Sequence, residues 1–233
     1  MSNVQALTPP RVMHPSSGSR DHTPPRRGWA WAGLGAGVCG LAIFAMAGLV
    51  DAPDAAWADN DVLVSHVLDS KYAVWAFQSV TVLAAGLLVV FGAGLRRQLS
   101  GQAPVHSLLP DVAFAGAALT AALLLVGGGI GTDLFWALLQ DPGKIDADYI
   151  AAELAIFNTL GWVWAGLGLS SGAVAIAAVR HGAAQRWIGW VSVGMTSLVV
   201  LTQVAPVQYM ALVPAALWLA ITAPFLARRE RSA

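Results

Sequence analysis

Six amide or carboxylate side chains lie inside the apolar blocks of this sequence, and they are the residues best placed to do chemistry. They are Gln78, Asp133, Glu153, Asn158, Gln203 and Gln208. A carboxylate or an amide is costly to keep among hydrocarbon groups, so each of them must face a partner or water. An ionisable residue within a membrane span is by default a functional-site hypothesis, which makes Asp133 the charged anchor of a candidate ligand-binding cluster.

Two interpretations of this cluster stay open. All six residues fall in the outer halves of the spans assigned below. In the first interpretation they line a polar pocket that opens to the outside. In the second, they bond helices to one another or reach the nearby interface, and this one is favoured because interhelical polar bonds are common and contribute about 1 kcal/mol each.

A run of glycines lies directly before Asp133. It comprises Gly127, Gly128, Gly129 and Gly131. Glycine weakens a helix by up to about 1 kcal/mol relative to alanine, and it permits either local unwinding, as at transporter ion sites, or close packing of helices. Close packing is favoured because a small-xxx-small spacing recurs. The pairs are Gly33 with Gly37, Gly127 with Gly131, and Gly168 with Gly172. Such faces also suit a membrane-protein partner or a homo-oligomer.

Three tryptophans, Trp162, Trp164 and Trp218, lie nearer the middle of the predicted spans than an interfacial residue should. They either line a cavity for an apolar ligand or a lipid tail, or pack in the bundle with the indole N–H bonded to a neighbour, which is favoured. Pro214 and Pro224 each remove an intrahelical hydrogen bond, so they are expected to kink or fray the last span.

No catalytic residue, metal site or cofactor is identified from the sequence. The five histidines, His14, His22, His66, His106 and His181, all lie outside the apolar blocks, which argues against a bis-histidine haem. His66 beside several aspartates is a weak candidate for a surface metal site. The single cysteine excludes an intramolecular disulfide and a thiolate zinc cluster. No nucleotide-binding or hydrolase motif occurs, so an enzyme is not favoured.

The elements that position these residues follow from composition. The 233 residues are 57% hydrophobic and 11% charged, with a mean hydropathy of +0.63, which excludes an ordinary soluble domain. The zero net charge gives no support for a nucleic-acid partner. Unbroken apolar blocks of about 20 residues each match the bilayer thickness. They predict an all-α polytopic membrane protein with six transmembrane helices, at about 29–50, 72–95, 112–139, 150–179, 187–204 and 207–226.

The charged residues predict the orientation. Eleven of the thirteen Lys and Arg residues lie in residues 1–28, in the connections after the second and fourth spans, and in the tail. The alternate connections are rich in Asp, so the positive-inside rule places both termini in the cytoplasm. Residues 1–28 are interpreted as a disordered, basic, Pro-rich cytoplasmic arm, 29–227 as the membrane domain, and 228–233 as a cytoplasmic tail. The acidic outer loop 51–71 is predicted to hold a short helix at 60–70.

The basic arm, the six Ala/Gly/Leu-rich spans and the Arg-terminated tail together resemble small integral membrane proteins of high-GC bacteria such as actinobacteria. The resemblance covers the whole chain and implies a multi-pass protein of a bacterial plasma membrane in contact with the lipid bilayer. It implies no activity and no site residues. Three functions are therefore weighed. An accessory, scaffold or sensor-like role comes first, then a small transporter or ligand-binding protein, then a membrane enzyme acting on a lipid or an apolar cofactor.

Overall fold

The computed structural model describes residues 28–140 and 146–226, and these residues are helical, with no strand among them. The helices are α1 Gly28–Val50, α2 Asn60–Asp69, α3 Lys71–Ser100, α4 Leu109–Ala137, α5 Ala147–Thr159, α6 Leu167–His181, α7 Arg186–Val204 and α8 Leu212–Leu226. Short 3₁₀ segments cover Asp54–Ala58, Leu160–Gly166 and Gln208–Ala211. The predicted N-terminal arm, apart from residue 28, and the predicted tail lie outside the described residues.

Six segments among the described residues are long and apolar enough to cross a membrane. They are Gly28–Val50, Lys71–Ser100, Leu109–Ala137, Ala147–His181, Arg186–Val204 and Gln208–Leu226, numbered here as spans 1 to 6. The predicted all-α, six-span membrane architecture is thereby confirmed, with observed ends that lie within five residues of the predicted ones. The short helix expected at 60–70 is present as α2.

The six spans form a closed ring. Each span packs on the next one in chain order, and α8 returns to pack on α1. Because successive spans run in opposite directions, residues 50–71, 133–140, 146–149 and 203–209 gather at one end, which we call the acidic end. Residues 96–108 and 180–187 gather at the other, which we call the basic end. The candidate polar residues all lie toward the acidic end.

Side chains that reach across the ring fill its interior. The ring edge of Trp164 in span 4 lies against Gly40 in span 1, on the opposite side. Phe91 of span 2 meets Trp218 of span 6 edge-on, with ring centroids 5.9 Å apart, and all three aromatic side chains are fully buried. The Trp218 indole donates a hydrogen bond of 2.9 Å to the Ser192 hydroxyl of α7. Trp164 and Trp218 therefore pack in the core, whereas Trp162 is exposed. The predicted bond of the indole N–H is present at Trp218, but the buried Trp164 Nε1 has no hydrogen-bond partner among the described residues.

The small-residue faces are used within the chain. Gly37 lies against the backbone of Ala216 and Ala220 in α8, so that α1 and α8 approach closely. The pair at 168 and 172 faces α7, and the pair at 127 and 131 faces the Leu160 and Gln78 side chains. This is the close packing that the small-xxx-small spacing predicts.

The irregular segment of the bundle is in span 4 rather than in the glycine run. Residues 127–131 continue the regular helix α4, so no unwinding occurs beside Asp133. Span 4 changes to 3₁₀ geometry at Leu160–Gly166. There Gly161 is pressed against the backbone carbonyl of Tyr209, which a Cβ would overlap. Pro214 lies in the first turn of α8, where no intrahelical bond is lost.

Candidate functional site

The acidic end carries a folded cap, which comprises the 3₁₀ segment Asp54–Ala58 and the helix α2. Asp59 accepts a hydrogen bond from the Asp61 amide and begins α2, and Asp146 accepts one from the Asp148 amide and begins α5, each at 3.0 Å. These are ordinary N-caps, which satisfy amides that have no partner inside the helix. Leu63 of α2 is fully buried against the rest of the chain. The cap is therefore packed on the bundle rather than held only by its two chain ends.

Polar bonds tie the cap to the spans. The Asn60 amide of α2 donates to a carboxylate oxygen of Asp148 in α5 at 2.5 Å. The Asn158 amide donates to Asp51, at the end of α1, at 3.3 Å. His66 of α2 lies 3.3 Å from the backbone carbonyl of the same Asp51. Asn158, one of the predicted cluster residues, thus links span 4 to the segment that follows span 1.

Asp133 and Glu153 belong to a second group, between α4 and α5. The Tyr149 hydroxyl donates to Asp133 Oδ2 at 2.5 Å. Glu153 lies close enough to both groups to interact with them electrostatically. Glu153 Oε2 is buried and has no hydrogen-bond partner among the described residues. Two carboxylates and a phenol are therefore brought together here, and one buried oxygen, Glu153 Oε2, has no donor among the described residues.

Gln78 takes part in a third contact, between α3 and α4. Its side-chain oxygen and the Gly128 carbonyl both lie 2.8 Å from the Thr132 hydroxyl, which has one proton to donate. The Gln78 side chain also lies over Gly131, 3.2 Å from where a Cβ would be. The glycines of α4 thus allow α3 to approach closely enough for the bond to form.

Gln203 and Gln208 lie apart from the other four predicted residues. Both are exposed, on either side of the turn between α7 and α8. The Gln203 amide donates to the Thr202 hydroxyl at 3.3 Å, and the Gln208 side chain has no hydrogen bond to a described residue. The six residues therefore do not converge on one cavity. Gln78, Asp133 and Asn158 each bond a residue of another segment, Glu153 lies beside Asp133 without a hydrogen bond to a described residue, and the two glutamines flank the α7–α8 turn.

A groove beside those two glutamines was not predicted from the sequence. It has a volume of about 310 Å³ and lies between the acidic-end half of α7 and the start of α8. The lining residues are Met195, Leu198, Leu201, Thr202, Ala205, Val207, Met210, Val213, Pro214 and Leu217. Nine of these ten residues are apolar, so the groove presents hydrocarbon to whatever occupies it. A pattern of apolar residues on a membrane helix does not distinguish such a groove from a smooth lipid-facing surface.

No three His, Cys, Asp or Glu side chains within residues 28–140 and 146–226 are grouped so that they could hold a metal ion. No family model matches the chain, and neither the curated proteins nor the solved structures gave a match. Function therefore has to be inferred from the ring of helices, the cap, the paired polar residues and the groove.

Proposed function

We propose that this chain is a multi-pass protein of a bacterial plasma membrane that acts as an accessory, scaffold or sensor-like protein through its acidic end. The observation that carries the proposal is the filled ring. Trp164 reaches from span 4 to span 1 with no exposed surface, so the centre of the ring holds a side chain instead of a path for a solute. A transporter needs a site near mid-membrane that opens to each side in turn.

The proposed orientation places the basic end in the cytoplasm. Among the described residues, the basic end carries Arg96, Arg97, Arg180 and Arg186, and only Lys71 is a Lys or Arg at the acidic end. The positive-inside rule associates such an arginine bias with the cytoplasmic side. An even number of spans then leaves both termini in the cytoplasm and the cap outside.

The cap is the surface proposed for partner contact. Val62 of α2 is 50% exposed and follows Asp61 in sequence, and Tyr72, in the first turn of α3 beside the cap, is 70% exposed. Apolar side chains rimmed by polar ones are typical of surfaces that meet another protein. Because the cap is bonded to spans 1 and 4, a force on it would be transmitted to the bundle.

A ligand-binding role at the α4–α5 group is the second candidate. The buried Glu153 Oε2 supports it: no described residue donates to this atom, and such an atom is satisfied by a proton, a water molecule or a bound group. The Tyr149 and Asp133 side chains would then face the same ligand. Asp133→Ala tests this candidate, because loss of ligand binding in well-folded protein would support it and loss of folded protein would contradict it.

Cysteine labelling in native membranes tests the filled core. In a Cys39→Ala background, Thr81→Cys and Ala121→Cys place thiols at positions that are 1% and 2% exposed, and Ser65→Cys places one on the cap. With a small membrane-permeant thiol reagent, the cap thiol should react fully and the two core thiols only after denaturation in SDS. Core thiols that react in the folded protein as fast as Ser65→Cys would replace this proposal with a transport role.

Cysteine variants in the same Cys39→Ala protein also test the orientation. In intact cells an impermeant thiol reagent should label Ser65→Cys and spare Gln102→Cys, at the basic end, and the reverse pattern would overturn the orientation.

A photo-crosslinking amino acid at Val62 should give a discrete adduct with a membrane protein in cells. A matched crosslinker at Val105, exposed at the basic end, should not. Equal adducts at both positions would contradict a specific role for the cap.

A further inference from the structure

We propose that the groove between α7 and α8 is a binding site for one acyl chain of a phospholipid, whose polar region is held by Gln203 and Gln208. The site requires only that these two helices lie in a bilayer. It therefore stands independently of the accessory role proposed above.

The groove has the length of one leaflet of a bilayer. It extends along α7 from Met195 to Ala205, ten residues, or about 15 Å at the rise of an α-helix. That is half of a hydrocarbon core of about 30 Å, so the groove spans one leaflet.

The groove is closed at both ends and open at the side. Deeper in the bundle, the Trp218 to Ser192 bond joins α8 to α7. At the acidic end the two helices are joined by the turn at residues 205–207. Between these two connections the start of α8 packs toward span 4, through the contact of Gly161 with the Tyr209 carbonyl. The open side continues the lipid-facing surface of α7, so the medium at the opening is the acyl chains of the bilayer.

The lining excludes water as the occupant. The one polar lining residue is Thr202, and its hydroxyl already donates to the Val199 carbonyl at 2.8 Å. A water molecule needs two to four polar partners, and an apolar cavity lacks them. An acyl chain from the surrounding leaflet needs no hydrogen-bond partner and can contact the same apolar side chains.

The two glutamines are placed to bind the polar region of the same lipid. Gln203 follows Thr202, and Gln208 follows Val207, so both are next in sequence to residues that line the acidic end of the groove. Both side chains are exposed, and that of Gln208 has no hydrogen bond to a described residue. Two amides supply donors and acceptors to ester and phosphate oxygens without requiring a particular net charge. Residues 203–226 contain no charged side chain that would select another head group.

Photo-crosslinking with a defined lipid tests the site. Full-length protein in mild detergent is supplied with phosphatidylcholine that carries a diazirine on one acyl chain, and the adducts are mapped by mass spectrometry. A diazirine near the chain end should mark the region of Met195 and Leu217, and one near the ester should mark the region of Ala205 and Val207. Adducts spread evenly over the lipid-facing surfaces of the other spans would overturn the proposal.

A matched pair of variants separates the groove from the surrounding surface. Leu198 lines the groove and Val200 does not, although both lie on α7 and are 49% and 53% exposed. Leu198→Trp should lower the adduct yield in the groove about tenfold, which corresponds to about 1.4 kcal/mol of affinity, and Val200→Trp should leave it unchanged. Equal yields from the two variants would show that the groove is not the site.

The polar half of the proposal is tested by a double variant. Gln203→Ala combined with Gln208→Ala should lower the yield with phosphatidylcholine but not that with a diazirine-bearing hydrocarbon of the same chain length. If both probes label the double variant as well as they label the original protein, the glutamines do not hold the lipid. If the hydrocarbon fails to label even the original protein, the groove does not accept a chain.

Discussion

Closure of the helix ring between the first and last spans can be tested at Gly37. A Cβ at this position would lie 2.6 Å from the Ala220 amide nitrogen and 2.8 Å from the Ala216 carbonyl oxygen. Both contacted atoms are backbone, so no side-chain rearrangement relieves the overlap. Gly37→Ala can be accommodated only if α1 and α8 move apart, and the packing of Gly33 and Gly40 along the same face is then lost as well.

The size of the effect is set by two opposing terms. Overpacking of a tight contact typically costs about 1–3 kcal/mol. Alanine also favours a helix over glycine by up to about 1 kcal/mol. Gly48→Ala in the same helix carries the second term alone, because nothing lies within 4 Å of the position of its Cβ. The difference between the two variants therefore isolates the overlap, and we expect Gly37→Ala to be less stable than Gly48→Ala by about 1–3 kcal/mol.

Reversible unfolding in mixed micelles, with increasing SDS and far-UV circular dichroism as the signal, measures this difference. Gly37→Ala should unfold at a lower SDS fraction than the original protein, and Gly48→Ala at the same or a higher one. Coincident transitions for the two variants would refute the packing of α1 on α8 in this register. The ring would then not be closed as described.

Two further predictions use the same assay. Gly92→Ala should destabilise the protein, because its Cβ would lie 2.8 Å from the Ala117 Cβ, and Ala117→Gly in the same chain should restore part of the loss. Failure of that rescue would contradict the α3–α4 register. Ser192→Ala leaves the buried Trp218 indole N–H without its acceptor, and a double-mutant cycle with Trp218→Phe should give a coupling of about 0.6 kcal/mol and up to about 1.7 kcal/mol. A coupling of zero would show that the bond contributes nothing.

The six spans were predictable because a bilayer imposes a length on each apolar block, and that length is visible in the sequence alone. The helix at 60–69 was predictable from its apolar spacing, whereas its cap by Asp59 became known only from the structure. The position of the irregular segment was not predictable. Glycine permits unwinding at residues 127–131, but neighbouring side chains pack against several of these glycines and keep the helix regular. Span 4 is irregular at 160–166, where the contact with Tyr209 comes from a segment distant in sequence.

For the candidate polar residues, the sequence predicted the position along each span but not the residues that they contact. Their position toward one end of the spans follows from counting residues along each block, and the structure agrees with it. Their partners do not follow, because Tyr149, Thr132 and Asp51 face them only after the ring has closed. The role of the six residues in binding a ligand stays a prediction, now divided between the α4–α5 group and the two glutamines beside the groove.

Contact with the surrounding bilayer is greatest at α7. Its apolar window is 22% buried, against 39–56% for the other five spans. A span that packs weakly on its own chain contributes little to the stability of the ring and leaves most of its surface facing outward. The groove and the two glutamines all lie along this helix and the turn that follows it. A lipid or a second membrane protein that meets the chain inside the bilayer should therefore bind along α7 and the start of α8, whereas a partner outside the bilayer meets the cap.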